Sequence, residues 1–175
     1  MKSYNYLHPN TINETPILVI QNEQKEDVLT CQRIYSNGVK RFLDQLLWEN
    51  KYFLTYKTYD LKKQELFTCK KISRKGKMYF EVVDERNKEK YSIAYDGWQQ
   101  LIPNLIITKG DFLMKIHKEM EDWSTFLVDD RVVARWQANL QNDVFHIELQ
   151  IEEEAPISNP AFYIAISQCV LYIGG

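Results

Sequence analysis

The sequence predicts a mainly β fold of the α+β kind: a closed antiparallel barrel of about 11–12 strands around a buried hydrophobic C-terminal helix, with one short amphipathic helix outside. Three observations carry this expectation. From Thr15 onward the chain repeats short apolar or alternating segments separated by turn residues, the pattern of antiparallel strands joined by hairpins. The stretch Pro160 to Ile173 is apolar around its whole circumference except at Ser167 and Gln168, so as a helix it has to be surrounded. Aromatic residues make up 13% of 175 residues while glycines number 6 and prolines 5, a balance that favours strands over loops.

At 20.9 kDa the chain is read as a single domain over 1–175, with residues 1–14 expected to form a loosely ordered N-terminal arm. Strands are expected near 16–21, 27–35, 51–59, 64–73, 77–84, 89–95, 104–109, 111–118, 122–128, 131–138 and 143–153. The last is the plainest: Phe145, Ile147, Leu149 and Ile151 alternate with His146, Glu148, Gln150 and Glu152, giving one dry face and one wet. In its neighbour, Val132, Ala134, Trp136 and Ala138 oppose Arg131, Arg135 and Gln137. The connections Arg74-Lys75-Gly76, Glu85-Arg86-Asn87, Lys109-Gly110-Asp111, Asp129-Asp130 and Gln141-Asn142-Asp143 are short and polar, as hairpins in a meander require.

Two segments leave the two-residue period. Val39, Phe42, Leu43, Leu46 and Leu47 recur at helical spacing with Lys40, Arg41, Asp44 and Gln45 between them, and Ser36-Asn37-Gly38 ahead of them supplies capping chemistry. The commoner role for such a helix is to cover an open end or face of a sheet; docking on a partner or a membrane surface is the alternative. The second helix starts at Asn159, a good N-cap, with Pro160 in the first helical position. Its 14 positions span about 21 Å, short of the ~30 Å hydrocarbon core of a bilayer but matched to a small barrel. Wrapping strands around it also removes sheet edges that would invite aggregation.

The end of the chain, Asn159-Pro160-Ala161-Phe162-Tyr163-Ile164-Ala165-Ile166-Ser167, resembles the closing segment of tubby C-terminal domains, in which a hydrophobic helix fills the barrel. Before it, Thr125-Phe126-Leu127-Val128, Asp129-Asp130-Arg131, Val132-Val133-Ala134-Arg135-Trp136 and Val144-Phe145-His146-Ile147 resemble the LURP-one-related proteins, which share that barrel. The resemblance covers roughly Leu66 to Gly175 and is one of pattern. It implies the barrel fold and a binding role, since tubby domains hold phosphoinositide headgroups through surface Lys and Arg and the related scramblases work at membranes. None of the headgroup-contacting positions of tubby domains maps residue by residue here, so none is carried over.

The strongest charge cluster is Lys70, Lys71, Arg74, Lys75 and Lys77, five cations across a predicted hairpin. Such a cluster can hold a phosphate by charge-assisted hydrogen bonds, or simply be a solvated turn. The three histidines, His8, His117 and His146, fall on different elements; His146 and Glu148 share an outer strand face, which is the minimum for acid–base or metal chemistry, but no third ligand has a suitable spacing. Asp129-Asp130 reads as a turn rather than a catalytic pair, and Glu152-Glu153-Glu154 as a strand running out into solvent. Tyr52, Phe53, Tyr56 and Tyr59 could stack bases, yet 22 Lys and Arg against 24 Asp and Glu give a net charge of −2, which disfavours nucleic acid.

Cys31, Cys69 and Cys169 are odd in number and widely spaced, so neither a disulfide framework nor a zinc site is written. No phosphate-loop, nucleophile-elbow or metalloprotease motif occurs, and no cofactor or metal is expected. With no secretory h-region and no apolar run of membrane-spanning length, the expected location is the cytoplasm, with peripheral membrane contact open. The expected function is a non-enzymatic binding or scaffold module for anionic lipid, a phosphate headgroup or a protein; the alternative is an enzyme with its site at a barrel mouth.

Overall fold

Twelve antiparallel strands close on themselves around the C-terminal helix. The computed structural model of the chain describes residues 1–10, 16–47, 52–74, 77–97, 104–119 and 122–171. The strands are β1 (Lys2–Pro9), β2 (Ile17–Asn22), β3 (Asp27–Arg33), β4 (Thr55–Asp60), β5 (Glu65–Arg74), β6 (Lys77–Asp84), β7 (Lys90–Asp96), β8 (Asn104–Lys109), β9 (Phe112–His117), β10 (Ser124–Val128), β11 (Arg131–Gln141) and β12 (Val144–Ile151). Helix α1 (Gly38–Leu47) lies between β3 and β4, and α2 (Pro160–Val170) follows β12. Each strand pairs with the next in the chain, and β1 pairs with both β12 and β2 to complete the ring.

That closure corrects one expectation. Residues 2–9, expected in a loose arm, form β1, paired with β12 from Lys2↔Ile151 to Pro9↔Val144. The inward positions of β1 are Tyr6 and His8, both buried but neither aliphatic, so the segment carries no apolar alternation to betray it. The expected strand at 51–59 begins only at Thr55; its position 51 and the hairpin tip at 75–76 lie outside the described residues.

The interior follows from the two-residue period. In β12, Ile147, Leu149 and Ile151 are buried while His146 is exposed. In β11 the simple alternation fails: Val132 is exposed and both Val133 and Ala134 are buried, because a bulge beside Phe126/Leu127 places one extra β11 residue opposite β10. The tight hairpins at Asp129-Asp130 and Asn142-Asp143 have φ of +50° and +59°, and +51° and +59°, the double left-handed turn that matches strand twist and that Asn and Asp tolerate.

Helix α2 is what the barrel is built around. The Asn159 side-chain oxygen accepts a hydrogen bond from the Ala161 N–H at 3.0 Å, and Pro160 takes the first turn. Every residue from Ala161 to Val170 is buried. Phe162 meets Phe67 edge-on with ring centroids 5.6 Å apart and Tyr91 at 5.2 Å, and Tyr163 meets Phe126 at 5.0 Å. Two of its polar groups are paired, the Ser167 hydroxyl donating to the Ile164 carbonyl at 3.2 Å and Gln168 Nε2 to Tyr6 Oη at 2.9 Å, while the Tyr163 hydroxyl and Gln168 Oε1 are buried without a hydrogen-bond partner among the described residues. Full burial of each large apolar side chain contributes roughly 1.5–3 kcal/mol, so α2 and the inner strand faces hold each other in place. Cys31, Cys69 and Cys169 are buried free thiols in this interior.

Ala165→Lys puts a cation where no water or counter-charge reaches, at a cost of several kcal/mol; the expected result is little soluble protein and no cooperative melt, and normal solubility and melting would show α2 to be unenclosed. Ile164→Val, which removes one methyl group, is expected to cost only about 0.5–1.5 kcal/mol in urea unfolding.

Candidate functional site

The end of the barrel where β3 leaves and β4 enters is covered by α1. Asn37 starts the helix, its side-chain oxygen accepting from the Lys40 N–H at 2.8 Å. The helix is then fastened by its polar side. Asp44 is fully buried and accepts four hydrogen bonds: from Arg33 Nη2 at 2.9 Å, the Tyr35 hydroxyl at 3.0 Å, and the backbone N–H groups of Tyr52 at 2.9 Å and Phe53 at 3.2 Å. The side chains of the Arg33–Asp44 pair are 2% and 0% exposed. Burial, and the bond it donates to the Asp44 carboxylate, push the Tyr35 phenol up to about 12, so it keeps its proton.

Much of the apolar stripe of α1 therefore faces outward, with Leu43 half-buried at its edge. Val39, Phe42 and Leu46 are 67%, 61% and 65% exposed. The spacing predicts a helix that covers an open end or face of the sheet, and α1 lies over an end of the barrel; what the spacing leaves open is which side meets the barrel, and the four-donor carboxylate decides that.

Between the first turn of α1 and the end of β5 lies a cavity of about 120 Å³ lined by Tyr35, Ser36, Lys40, Phe53, Lys70 and Lys71 among others. Each lysine arrives for a separate reason. Lys40 lies in the first turn of α1, its ammonium 5.6 Å from the centre of the Phe53 ring. Lys71 follows Phe67 and Cys69 in the inward register of β5 and sits where that row reaches the mouth, half-buried, its N–H bonded to the Leu54 carbonyl at 2.8 Å. Burial draws its pKa below the ordinary lysine value, against the attraction of Asp44. Lys70 is exposed beside it, opposite Glu81 of β6, whose carboxylate lies 3.6 Å from Lys90. The cavity is smaller than the roughly 300–1,000 Å³ of organic ligand sites and suits a phosphate-sized anion.

Of the five clustered cations, Lys70 and Lys71 come together in this cavity. Arg74 and Lys77 face each other in the β5–β6 register just beyond it, and Lys75 lies outside the described residues. Lys40 was not singled out from the sequence; it is 30 positions from Lys70, and only its place on the polar side of a rim-capping helix could have pointed to it.

The other candidates stay apart. His146 and Glu148 both line an outer groove of about 590 Å³ between β1–β2 and β11–β12, where Glu148 accepts a hydrogen bond from Gln150 at 2.7 Å. His117 is exposed on β9, and His8 is buried, its pKa lowered by that burial. No group of three or more metal-ligating side chains occurs among the described residues. Asp129 and Asp130 form the turn already described, and Glu152, Glu153 and Glu154 are exposed at the opposite end of the barrel, Glu153 holding the Met1 ammonium at 3.0 Å. Tyr56 is buried and Tyr52, Phe53 and Tyr59 are half-buried wall and rim residues, so no open stacking platform forms.

The model of the family described as Tubby C-terminal like domain matches residues 4–173. No curated protein and no solved structure matches the chain.

Asp44→Ala leaves the Arg33 guanidinium buried without its carboxylate and is expected to cost about 3–5 kcal/mol in urea unfolding, whereas Arg33→Met combined with Asp44→Leu recovers only the part due to the unpaired charge, because the Tyr35 hydroxyl and the Tyr52 and Phe53 N–H groups still lack their acceptor. Equal stability of Asp44→Ala and wild type would show that the pair does not hold α1.

Proposed function

Because the chain belongs to the Tubby C-terminal like domain family, we propose that it is a non-enzymatic binding module that takes an anionic phosphate headgroup at the rim cavity beneath α1, on a membrane facing the cytoplasm. The observation that carries this reading is that Lys40, Lys70 and Lys71, with Ser36 beside them, line one space of phosphate size. Several cationic donors lining one small space are what a phosphate monoester or diester requires. The barrel interior is occupied by α2, which leaves the outside and the rims for recognition. Arg74 and Lys77, paired in the β5–β6 register, add long-range attraction to an anionic surface. No helix among the described residues is long and apolar enough to cross a membrane, so contact would be made from one side.

Sedimentation with vesicles of phosphatidylserine or phosphatidylinositol phosphates in phosphatidylcholine tests the reading. Lys70→Glu/Lys71→Glu/Lys75→Glu is expected to weaken binding by at least about fivefold per charge, from about 1 kcal/mol per cation at an anionic surface. Sedimentation equal to wild type would end it.

The depressed Lys71 pKa gives a second test. The folded chain releases this proton at lower pH than the unfolded chain, so raising the pH through that interval favours the folded state, while a bound anion favours the protonated form and is released. Anion affinity is therefore expected to fall as pH rises, beginning below the ordinary lysine value of 10.5, and Lys71→Arg is expected to flatten that decline. An unchanged profile in Lys71→Arg would remove Lys71 from the site.

A further inference from the structure

We propose that α1 is an interfacial membrane helix, with Val39, Phe42 and Leu46 entering the boundary between headgroups and acyl chains of an anionic bilayer while the adjacent lysines hold its phosphates. The inference deepens the lysine-cavity reading and rests on it.

The argument begins with the inversion of α1. A short amphipathic helix ordinarily buries its apolar side and leaves its carboxylates wet. Here Asp44 is the buried residue and the apolar stripe, at i, i+3 and i+7, is about two-thirds exposed along roughly 10 Å of helix. Among the other large exposed apolar side chains, Leu61, Leu113 and Leu140 fall on separate strands or turns, while Leu7, Ile17 and Val19 share the outer groove of β1–β2, whose lining holds no lysine or arginine. On α1 they form one continuous face beside the cations of the same rim.

Charge decides what covers it. Lys40 and Arg41 lie on α1 itself, and Lys70 and Lys71 on β5 beside it. The carboxylates near them are engaged: Asp44 by its four donors, and Glu81 by Lys90. Glu152, Glu153 and Glu154 stand at the opposite end of the barrel, where an anionic surface repels them and so turns α1 towards itself. An apolar stripe flanked by cations is the composition of helices that lie in an anionic lipid interface. A second copy of the chain fits less well. Three side chains supply only a fraction of the roughly 800 Å² per partner of a stable interface, and a two-fold pairing through this face would set cations against cations.

Three measurements on the full chain test the inference. Val39→Cys carries an environment-sensitive fluorophore, the three native thiols being buried and unreactive; Phe42→Ser/Leu46→Ser removes the stripe without touching the lysines; and inorganic pyrophosphate, titrated by NMR, reads the cavity without a membrane. With phosphatidylserine/phosphatidylcholine vesicles the label is expected to brighten and to be quenched by bromines on the acyl chains. The double variant is expected to bind vesicles at least about tenfold more weakly, with an unchanged melt and unchanged pyrophosphate shifts. A label that stays water-exposed on bound vesicles, or a double variant that sediments as wild type does, overturns the inference and leaves the cavity reading intact. A wild-type dimer that the double variant converts to monomer also overturns it, by showing a second copy on the stripe. If pyrophosphate moves no lysine resonance and Lys70→Glu/Lys71→Glu binds vesicles unchanged, the cavity reading fails and this inference falls with it.

Discussion

A helix with no polar side must be encircled, and the rest of the architecture follows from meeting that requirement. Ala161 to Val170 are buried on every side, which a two-layer packing cannot achieve for a single helix and a closed barrel can. Closure recruits β1 at one end of the chain to seal against β12 near the other, so no strand is left as an open edge. Once filled, the barrel has little interior left for chemistry. Its distinctive surfaces are the two rims, and these differ in character: one is capped by a helix and ringed by lysines, the other carries an acidic run.

The capped rim depends on one buried carboxylate. Asp44 would be expensive to bury alone, but with a guanidinium, a phenol and two backbone N–H groups directed at it the desolvation cost is largely offset. The four donors come from two places in the chain: the end of β3 with the residue two positions beyond it, and the segment entering β4. They fix both the position and the roll of α1, and that roll exposes Val39, Phe42 and Leu46 and brings Lys40 beside Lys70 and Lys71. The buried carboxylate and the exposed apolar side chains thus lie on two faces of the same ten-residue helix.

Much of the fold was legible because it depends on local periodicity. The alternation in β12, the Asn and Asp turns with left-handed backbone and the uniformly apolar α2 are statements about nearest neighbours in the chain, and they survive folding unchanged. What escaped the sequence lacked such a signal. β1 faces inward with Tyr6 and His8, amphipathic side chains that read as polar. The bulge opposite Phe126 shifts the β11 pattern by one residue and makes Val132 an outer position. Half of the candidate site was visible as a run of cations at 70–77, but Lys40 belongs to a different segment.

By itself the sequence determined that strands alternate with polar turns, that the last helix is apolar throughout and therefore enclosed, and where its N-cap lies, since hydropathy and backbone chemistry act over a few residues. Only the tertiary structure decided that the first eight-residue strand closes the ring, that Asp44 is buried against the barrel while Val39, Phe42 and Leu46 face outward, and that three lysines from two elements share one cavity. Those outcomes depend on which distant donors, acceptors and charges fold into reach of one another, and no spacing along the chain encodes that distance.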